Sequence, residues 1–344
     1  MSQARLSVVV VTFDSREAIG RSLPALLAEL SPSDEVIVVD NASADGTADA
    51  VAALAPIARL IRNDSNTGFA AAANRGAEAA TGDLVVLLNP DAIVQPGFRE
   101  TILRPLSEGR GWAAWQGLVT MRGGTLVNTS GNVVHFTGIS WAGGAGAPVS
   151  EAVTAPREVA FASGACLAVP LDRWREEGGF SPDFFMYCED ADLALRLRLA
   201  GGRIGIEPAA RVDHDYEFAK GAAKWRLLER NRWALVLRTY PAALLALVLP
   251  ALVATEVALW AVAIAGGWGA QKLLATADVL RSLPRVLRER RAIQARRRVS
   301  ASEFAAFLTA DLSSPYLGPL ARSAVVRSAL RAYWAAVSFL LRSY

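Results

Sequence analysis

Four short constellations in this chain combine residue types and spacing that could do chemistry. Leu88-Asn89-Pro90-Asp91 sets a carboxylate just after an apolar run. A carboxylate at a strand end can hold a hard cation such as Mg²⁺ or Mn²⁺ against a diphosphate; Asn-Pro-Asp is also ordinary turn chemistry. Asp40-Asn41-Ala42-Ser43 follows a second apolar run. An acid there can accept hydrogen bonds from a base or ribose, while Ser43 or Asp45 could simply cap the next helix. Glu189-Asp190-Ala191-Asp192 packs three acids into four residues. Like charges raise a carboxylate's pKa and make it a better general base; the alternative is an exposed i,i+4 pair between Asp192 and Arg196. His214 stands between Asp213 and Asp215, where it is either structural or a metal ligand.

Other chemistries are excluded. No GxxxxGK[ST] occurs, and the glycines at 143–146 do not spell a dinucleotide fingerprint. Asn41–Gly46 looks like the start of a calcium loop, but the twelfth position is Ala52 instead of Glu. Two histidines, His135 and His214, cannot build a multi-histidine zinc site. Two cysteines, Cys166 and Cys188, make no disulfide framework and fit a reducing compartment.

The elements that must position these residues are legible in the pattern. Ser7–Thr12, Glu35–Val39, Ala58–Ile61 and Leu84–Leu88 read as strands, three of them continuously apolar. Ser15–Leu30, Gly46–Leu54 and Gly68–Ala80 read as helices between them. Such alternation predicts an α/β fold with a mainly parallel, doubly wound sheet. Ligands on these sheets bind at the carboxyl ends of strands, which is where Thr12, Asp14, Asp40, Asn41, Asn89 and Asp91 fall. From Trp112 to Val169 short strands broken by glycine-rich turns predict a small mixed extension. Phe184–Leu199 reads as an acidic loop entering an arginine-rich helix.

After Tyr216 the pattern is helical to the end. Thr239–Gln271 carries one charge, Glu256, which splits it into runs shorter than the ~20 residues that cross a bilayer. Pro241, Pro250 and Gly266-Gly267 interrupt it further. The expectation is a hairpin in one leaflet or a buried helix pair, with a span at 239–271 as the alternative. Lys272–Arg298 holds nine basic and two acidic residues, and Arg288, Arg290, Arg291, Arg296, Arg297 and Arg298 suit anionic headgroups. Val326, Leu330, Tyr333, Val337 and Leu340 recur on one helical face. The net charge of +3 hides a division: residues 1–215 carry 17 basic against 26 acidic side chains, and 216–344 carry 19 against 7. Mean hydropathy is +0.26, high for a water-soluble enzyme, which raises the membrane question independently. Met1–Arg5 is polar and Leu6–Val11 is too short for a signal-peptide core, so no leader is expected.

Taken in order, Thr12-Phe13-Asp14, Val39–Thr47, Asn66-Thr67-Gly68-Phe69, Leu88-Asn89-Pro90-Asp91 and Phe185–Leu193 form a series. This series resembles the family 2 inverting glycosyltransferases of the GT-A fold, in particular their bacterial rhamnosyltransferase-like branch, over about residues 5–240. The resemblance implies a GT-A catalytic domain over 1–238 and a helical membrane-associating region over 239–344. It implies that Thr12, Phe13, Asp14, Asp40, Asn41 and Ser43 line a nucleotide pocket whose floor is shaped by Asn66, Gly68 and Asn74. Asn89-Pro90-Asp91 matches the DxD motif, with Asn89 replacing the first Asp, so Asp91 and His214 would hold Mg²⁺ or Mn²⁺. Asp190, with Glu189 beside it, would be the catalytic base, and Ser163-Gly164-Ala165 a wall by the donor sugar. Trp225, Arg230 and Trp233 would close over the acceptor. The implied partners are a nucleotide-sugar donor (dTDP-L-rhamnose first, a UDP-hexose second), a lipid-linked saccharide acceptor, and the cytoplasmic face of an anionic membrane. A silent nucleotide-sugar scaffold is a rival reading. A nucleic-acid binder is disfavoured, because the arginines abut an apolar run instead of interleaved aromatics.

Overall fold

A computed structural model of the chain describes residues 4–215, 221–313 and 323–342. Its elements run β1 (Leu6–Thr12), α1 (Arg16–Glu29), β2 (Glu35–Asp40), α2 (Thr47–Leu54), β3 (Arg59–Arg62), α3 (Gly68–Glu78), β4 (Leu84–Leu88), β5 (Ile93–Val94) and α4 (Phe98–Ser107). They continue β6 (Trp112–Met121), β7 (Leu126–Thr129), β8 (Asn132–His135), β9 (Ser140–Ala142), β10 (Arg157–Glu158), β11 (Cys166–Pro170), α5 (Leu171–Glu177), α6 (Glu189–Leu199) and β12 (Arg203–Asp213). The rest is α7 (Ala223–Thr239), α8 (Ala242–Ala265), α9 (Gly269–Ala295), α10 (Ala301–Ala305), β13 (Leu308–Thr309) and α11 (Ala324–Arg342). The helix expected over 217–220 and 314–322 lies outside the described residues.

Contacts divide the described residues into two compact units, which are taken separately. The first comprises Met1–Asn132, Ala142–Ala194 and Gly202–Tyr216; the second comprises Val133–Trp141, Leu195–Gly201 and Glu217–Tyr344. This division does not fall at 238/239. α7 packs along α9 and so belongs to the second unit.

The first unit is built on one sheet of order β10-β12-β6-β11-β4-β1-β2-β3. β3, β2, β1 and β4 are parallel; β11 runs antiparallel between β4 and β6 and begins the mixed extension. The apolar runs are continuous because both faces are covered. Val8 and Val10 pack with Ile19 and Leu23 of α1 in the main core. Val9 and Val39 meet α3 on the other face, where a Cβ on Gly76 would stand 2.3 Å from Val9 Cγ1. Only glycine lets that helix lie so close to the sheet.

The second unit is helical, with a small sheet β13-β8-β9. α8 is one continuous helix of 24 residues, so the interruption expected at Pro250 does not occur, while those expected at Pro241 and Gly266-Gly267 bound the helix. The charge of Glu256 within it is neutralised: Glu256 accepts from Arg232 (2.6 Å) and Trp233 (3.0 Å), and Lys272 lies 2.6 Å away. Leu244, Val248 and Leu252 form the buried stripe of α8, while Leu249, Val253, Val257 and Ile264 stay exposed. By length and composition, α8 and α11 could each cross a membrane. His135 is buried against Thr137 Oγ1 (2.7 Å) and Ala310 O (3.3 Å); burial pushes it down to about 4, so it is a neutral structural histidine.

Candidate active site

The carboxyl ends of β1, β2 and β4 meet where the strand order reverses, and the polar residues gather there. Asp40 is buried at the end of β2 and accepts from Thr12 Oγ1 (3.0 Å) and Ser43 Oγ (2.6 Å). Asp14 accepts from the Ala44 N–H (2.8 Å), and its own N–H donates to Ser43 Oγ (2.9 Å). Thr12, Asp14, Asp40 and Ser43 are thus one network, beside an exposed Phe13. Asn41 is the hub of the next loop. Its oxygen accepts from Asn63 Nδ2 (2.8 Å) and the Thr67 N–H (3.0 Å), and its amide donates to Asn66 Oδ1 (2.9 Å). Asn66 in turn accepts from the Gly68 N–H (2.9 Å). Asn74 is engaged elsewhere: its amide exchanges two hydrogen bonds with the Phe180 backbone (2.8 and 2.9 Å) and anchors that segment.

A second cluster forms at the end of β4. Pairing of β5 with the end of β12 brings Asp91 to His214. His214 Nε2 lies 3.0 Å from Asp91 Oδ1 and 3.3 Å from Asn89 Nδ2. The ring is buried, and Asn128 holds it from behind, donating to the His214 carbonyl (2.8 Å) with its amide 3.4 Å from Nδ1. Sequence reasoning missed Asn128, because only the β6–β7 hairpin carries it there. A carboxylate and an imidazole converging on one point fit a divalent cation. Among the described residues no group of three or more His, Cys, Asp or Glu forms a cage. The protein therefore offers a partial shell, suited to a cation that takes its remaining ligands from diphosphate and water.

The third cluster carries the base. Asp190 opens α6, and its Oδ2 accepts the Gly164 N–H at 3.0 Å. Burial pushes the Asp190 carboxyl up from its ordinary value, opposed by the Gly164 and Ala191 N–H groups. Glu189 is pushed well up by burial, then by the Asp190 and Asp192 charges, and its Oε2 has no hydrogen-bond partner among the described residues. Asp192 and Arg196, expected on an exposed face, are both buried. Phe185, Tyr187 and Cys188 precede the helix with φ of 62°, 70° and 65°, a strained approach of the kind kept at functional sites. The second and third clusters share one support. The Ser163–Ala165 loop binds Asp190 through Gly164, and the Asn89 N–H through the Ala165 carbonyl (3.2 Å). Buried Gln116, another residue missed in the sequence, fixes that loop by accepting the Ser163 N–H (2.9 Å).

This geometry has known counterparts. The model of glycosyl transferase family 2 matches residues 7–132, and that of glycosyl transferase family group 2 matches residues 84–284. The chain belongs to the family 2 glycosyltransferases. Among its curated relatives are rhamnosyltransferases. It is 29% identical over 244 residues to the N-acetylglucosaminyl-diphospho-decaprenol L-rhamnosyltransferase of Mycobacterium tuberculosis, covering 63% of this chain and 78% of that one. It is 33% identical over 88 residues to the rhamnosyltransferase WbbL of Escherichia coli, covering 24% of this chain and 33% of that one. The fold is GT-A-like. A crystal structure of GalNAc-T7 with UDP, GalNAc and Mn²⁺ superposes with a TM-score of 0.58 at 15% identity, over 71% of this chain and 50% of that chain.

The family resemblance put Trp225, Arg230 and Trp233 over the acceptor. In the structure they are engaged within the second unit: Trp225 stacks on Trp268 (5.1 Å), Trp233 donates to Glu256, and Arg230 donates to Asn231 Oδ1 (2.9 Å).

Proposed function

We propose that this glycosyltransferase moves L-rhamnose from dTDP-L-rhamnose, with inversion, to a lipid-linked saccharide in cell-wall or surface-polysaccharide synthesis at the cytoplasmic face of the membrane. The observation that carries the chemistry is Asp190, oriented by Gly164 at 3.0 Å on the same loop that supports the Asn89–Asp91 turn. Asp190 takes the proton from the acceptor hydroxyl as its oxygen attacks the anomeric carbon. The bond from that carbon to the donor diphosphate breaks on the opposite face, so the configuration inverts. General-base help of this kind is worth ~10²–10⁴-fold. Asp91 and His214, with Asn89 beside them, would hold a divalent cation, which supplies positive charge against the leaving diphosphate. Thr12, Asp14, Asp40 and Ser43 bind and orient the nucleotide, and the Asn41–Asn66–Gly68 loop shapes the floor beneath it. The rhamnose assignment rests on the mycobacterial and E. coli relatives, and the lipid-linked acceptor on the mycobacterial relative's substrate.

The alternative within the class is a UDP-hexose donor (galactose, galactofuranose or GlcNAc). A non-catalytic scaffold is disfavoured by the joint presence of the Asp190 and Asp91–His214 clusters. The test is a donor panel that measures nucleoside diphosphate release on a lipid-diphosphate saccharide, with and without Mg²⁺ or Mn²⁺. Release is expected from dTDP-L-rhamnose, with Asp190→Asn lowering turnover by about 10²–10⁴-fold while donor binding persists. Release from no donor would sink the enzymatic reading, and near wild-type turnover by Asp190→Asn would sink the base assignment.

A further inference from the structure

A cleft of about 430 Å³ opens in the second unit, lined by Ala242, Leu287, Arg290, Arg291, Gln294 and Arg297. It lies between the start of α8 and the C-terminal half of α9. Two of its walls are pinned to the end of α7. Arg290 donates to the Leu237 and Tyr240 carbonyls (both 2.7 Å), and Gln294 donates to the Thr239 carbonyl (2.9 Å). Among the described residues no carboxylate lines the cleft, and neither Arg291 nor Arg297 has a carboxylate partner. Burial, and after it the Arg297 charge, push the Arg290 guanidinium below its ordinary value. Three guanidinium groups are therefore gathered with no carboxylate among the lining residues, beside the first turn of α8, whose N–H groups have no side-chain cap.

We infer that this cleft is a site for the phosphate of a membrane lipid headgroup. Paired guanidinium forks and free helix N–H groups are the donors that bind phosphate oxygens. The lipid source follows from what adjoins the cleft. Leu287 in its wall is exposed, and α8 leads from Ala242 to exposed Leu249, Val253 and Val257. At ~1.5 Å per residue, Leu249 lies about 10 Å along the helix from the cleft, the offset between a headgroup and the upper acyl chain. The inference stands on the second unit alone and is independent of the donor sugar.

The test uses the full chain and needs no turnover. Flotation is measured on phosphatidylcholine vesicles with and without phosphatidic acid, and with inorganic pyrophosphate as competitor. Arg291→Gln/Arg297→Gln removes two cleft charges, and Arg288→Gln/Arg298→Gln removes two from the same segment outside the cleft. The cleft pair is expected to lose about tenfold more affinity for the phosphatidic acid vesicles than the control pair, which reports diffuse attraction alone. Pyrophosphate is expected to displace the wild type at concentrations where sodium chloride of equal ionic strength does not. Equal losses by the two pairs, with melting temperatures unchanged, would overturn the site. Cleft-dependent pyrophosphate binding without any vesicle preference would overturn the lipid occupant and leave a soluble phosphate in its place.

Discussion

Glu189 and Asp190 meet opposite demands from stability and catalysis. Both carboxyls are pushed up by burial, and Glu189 also by its acidic neighbours. A folded-state pKa above the unfolded one means the protonated form suits the fold. That stability is complete below the ordinary carboxylate value of ~4 and is lost as pH rises through the raised value. Glu189→Gln is therefore expected to melt a few degrees above the wild type at pH 8, with the gain vanishing near pH 4. A loss of melting temperature at pH 8 would contradict it. A base must be deprotonated, so the acid limb of kcat/KM should fall above the ordinary carboxylate range; a limb within that range would remove Asp190 from the role. The acids at 189–192 are legible in the sequence as a cluster under repulsion. Their burial is not, because the residues that bury them are distant in the chain.

The loop 185–188 shows how an element aims a side chain. The α3 N-terminus lies against it: the Ala70 N–H donates to the Phe185 carbonyl (3.0 Å), and Gly68 has φ +83°. A Cβ on Gly68 would stand 2.5 Å from Phe185 Cδ2 and 2.6 Å from its carbonyl oxygen. Gly68→Ala is expected to displace the loop that leads into Asp190, costing about 1–3 kcal/mol in denaturant unfolding and lowering turnover. An alanine variant with wild-type stability would show that the contact is not needed. The sequence marks Gly68 within a motif and puts a helix start there. The reason for glycine, a close approach from residue 185, exists only once the chain has folded.

For the whole molecule, the division of charge read from the sequence acquires a physical content. In the second unit, buried Lys272 bridges Glu229 and Glu256, and Arg232 bridges the same two acids, tying α7, α8 and α9 together. Removing one partner of a buried cluster leaves an uncompensated charge, so Lys272→Met is expected to cost about 3–5 kcal/mol by thermal unfolding. Lys272→Met/Glu256→Gln should recover part of that loss, and failure to do so would mean that packing, not charge, holds these helices. The single charge that divides Thr239–Gln271 in the sequence is therefore an internal tie, and the exposed face of α8 stays apolar throughout.

The sequence by itself determined the α/β class, the mainly parallel character of the sheet, the strand ends that gather polar residues, and the family. Those properties follow from hydrophobic periodicity and local motif chemistry, which are written in consecutive residues. Tertiary structure alone decided that Asn128 backs the Asp91–His214 pair implied by the family resemblance, that Gly164 orients Asp190, that Asn74 clamps Phe180, and that Glu256 is neutralised inside one continuous helix. Each of these joins residues between sixteen and more than one hundred positions apart. Strand pairing and helix packing bring such residues together, and no local pattern records that.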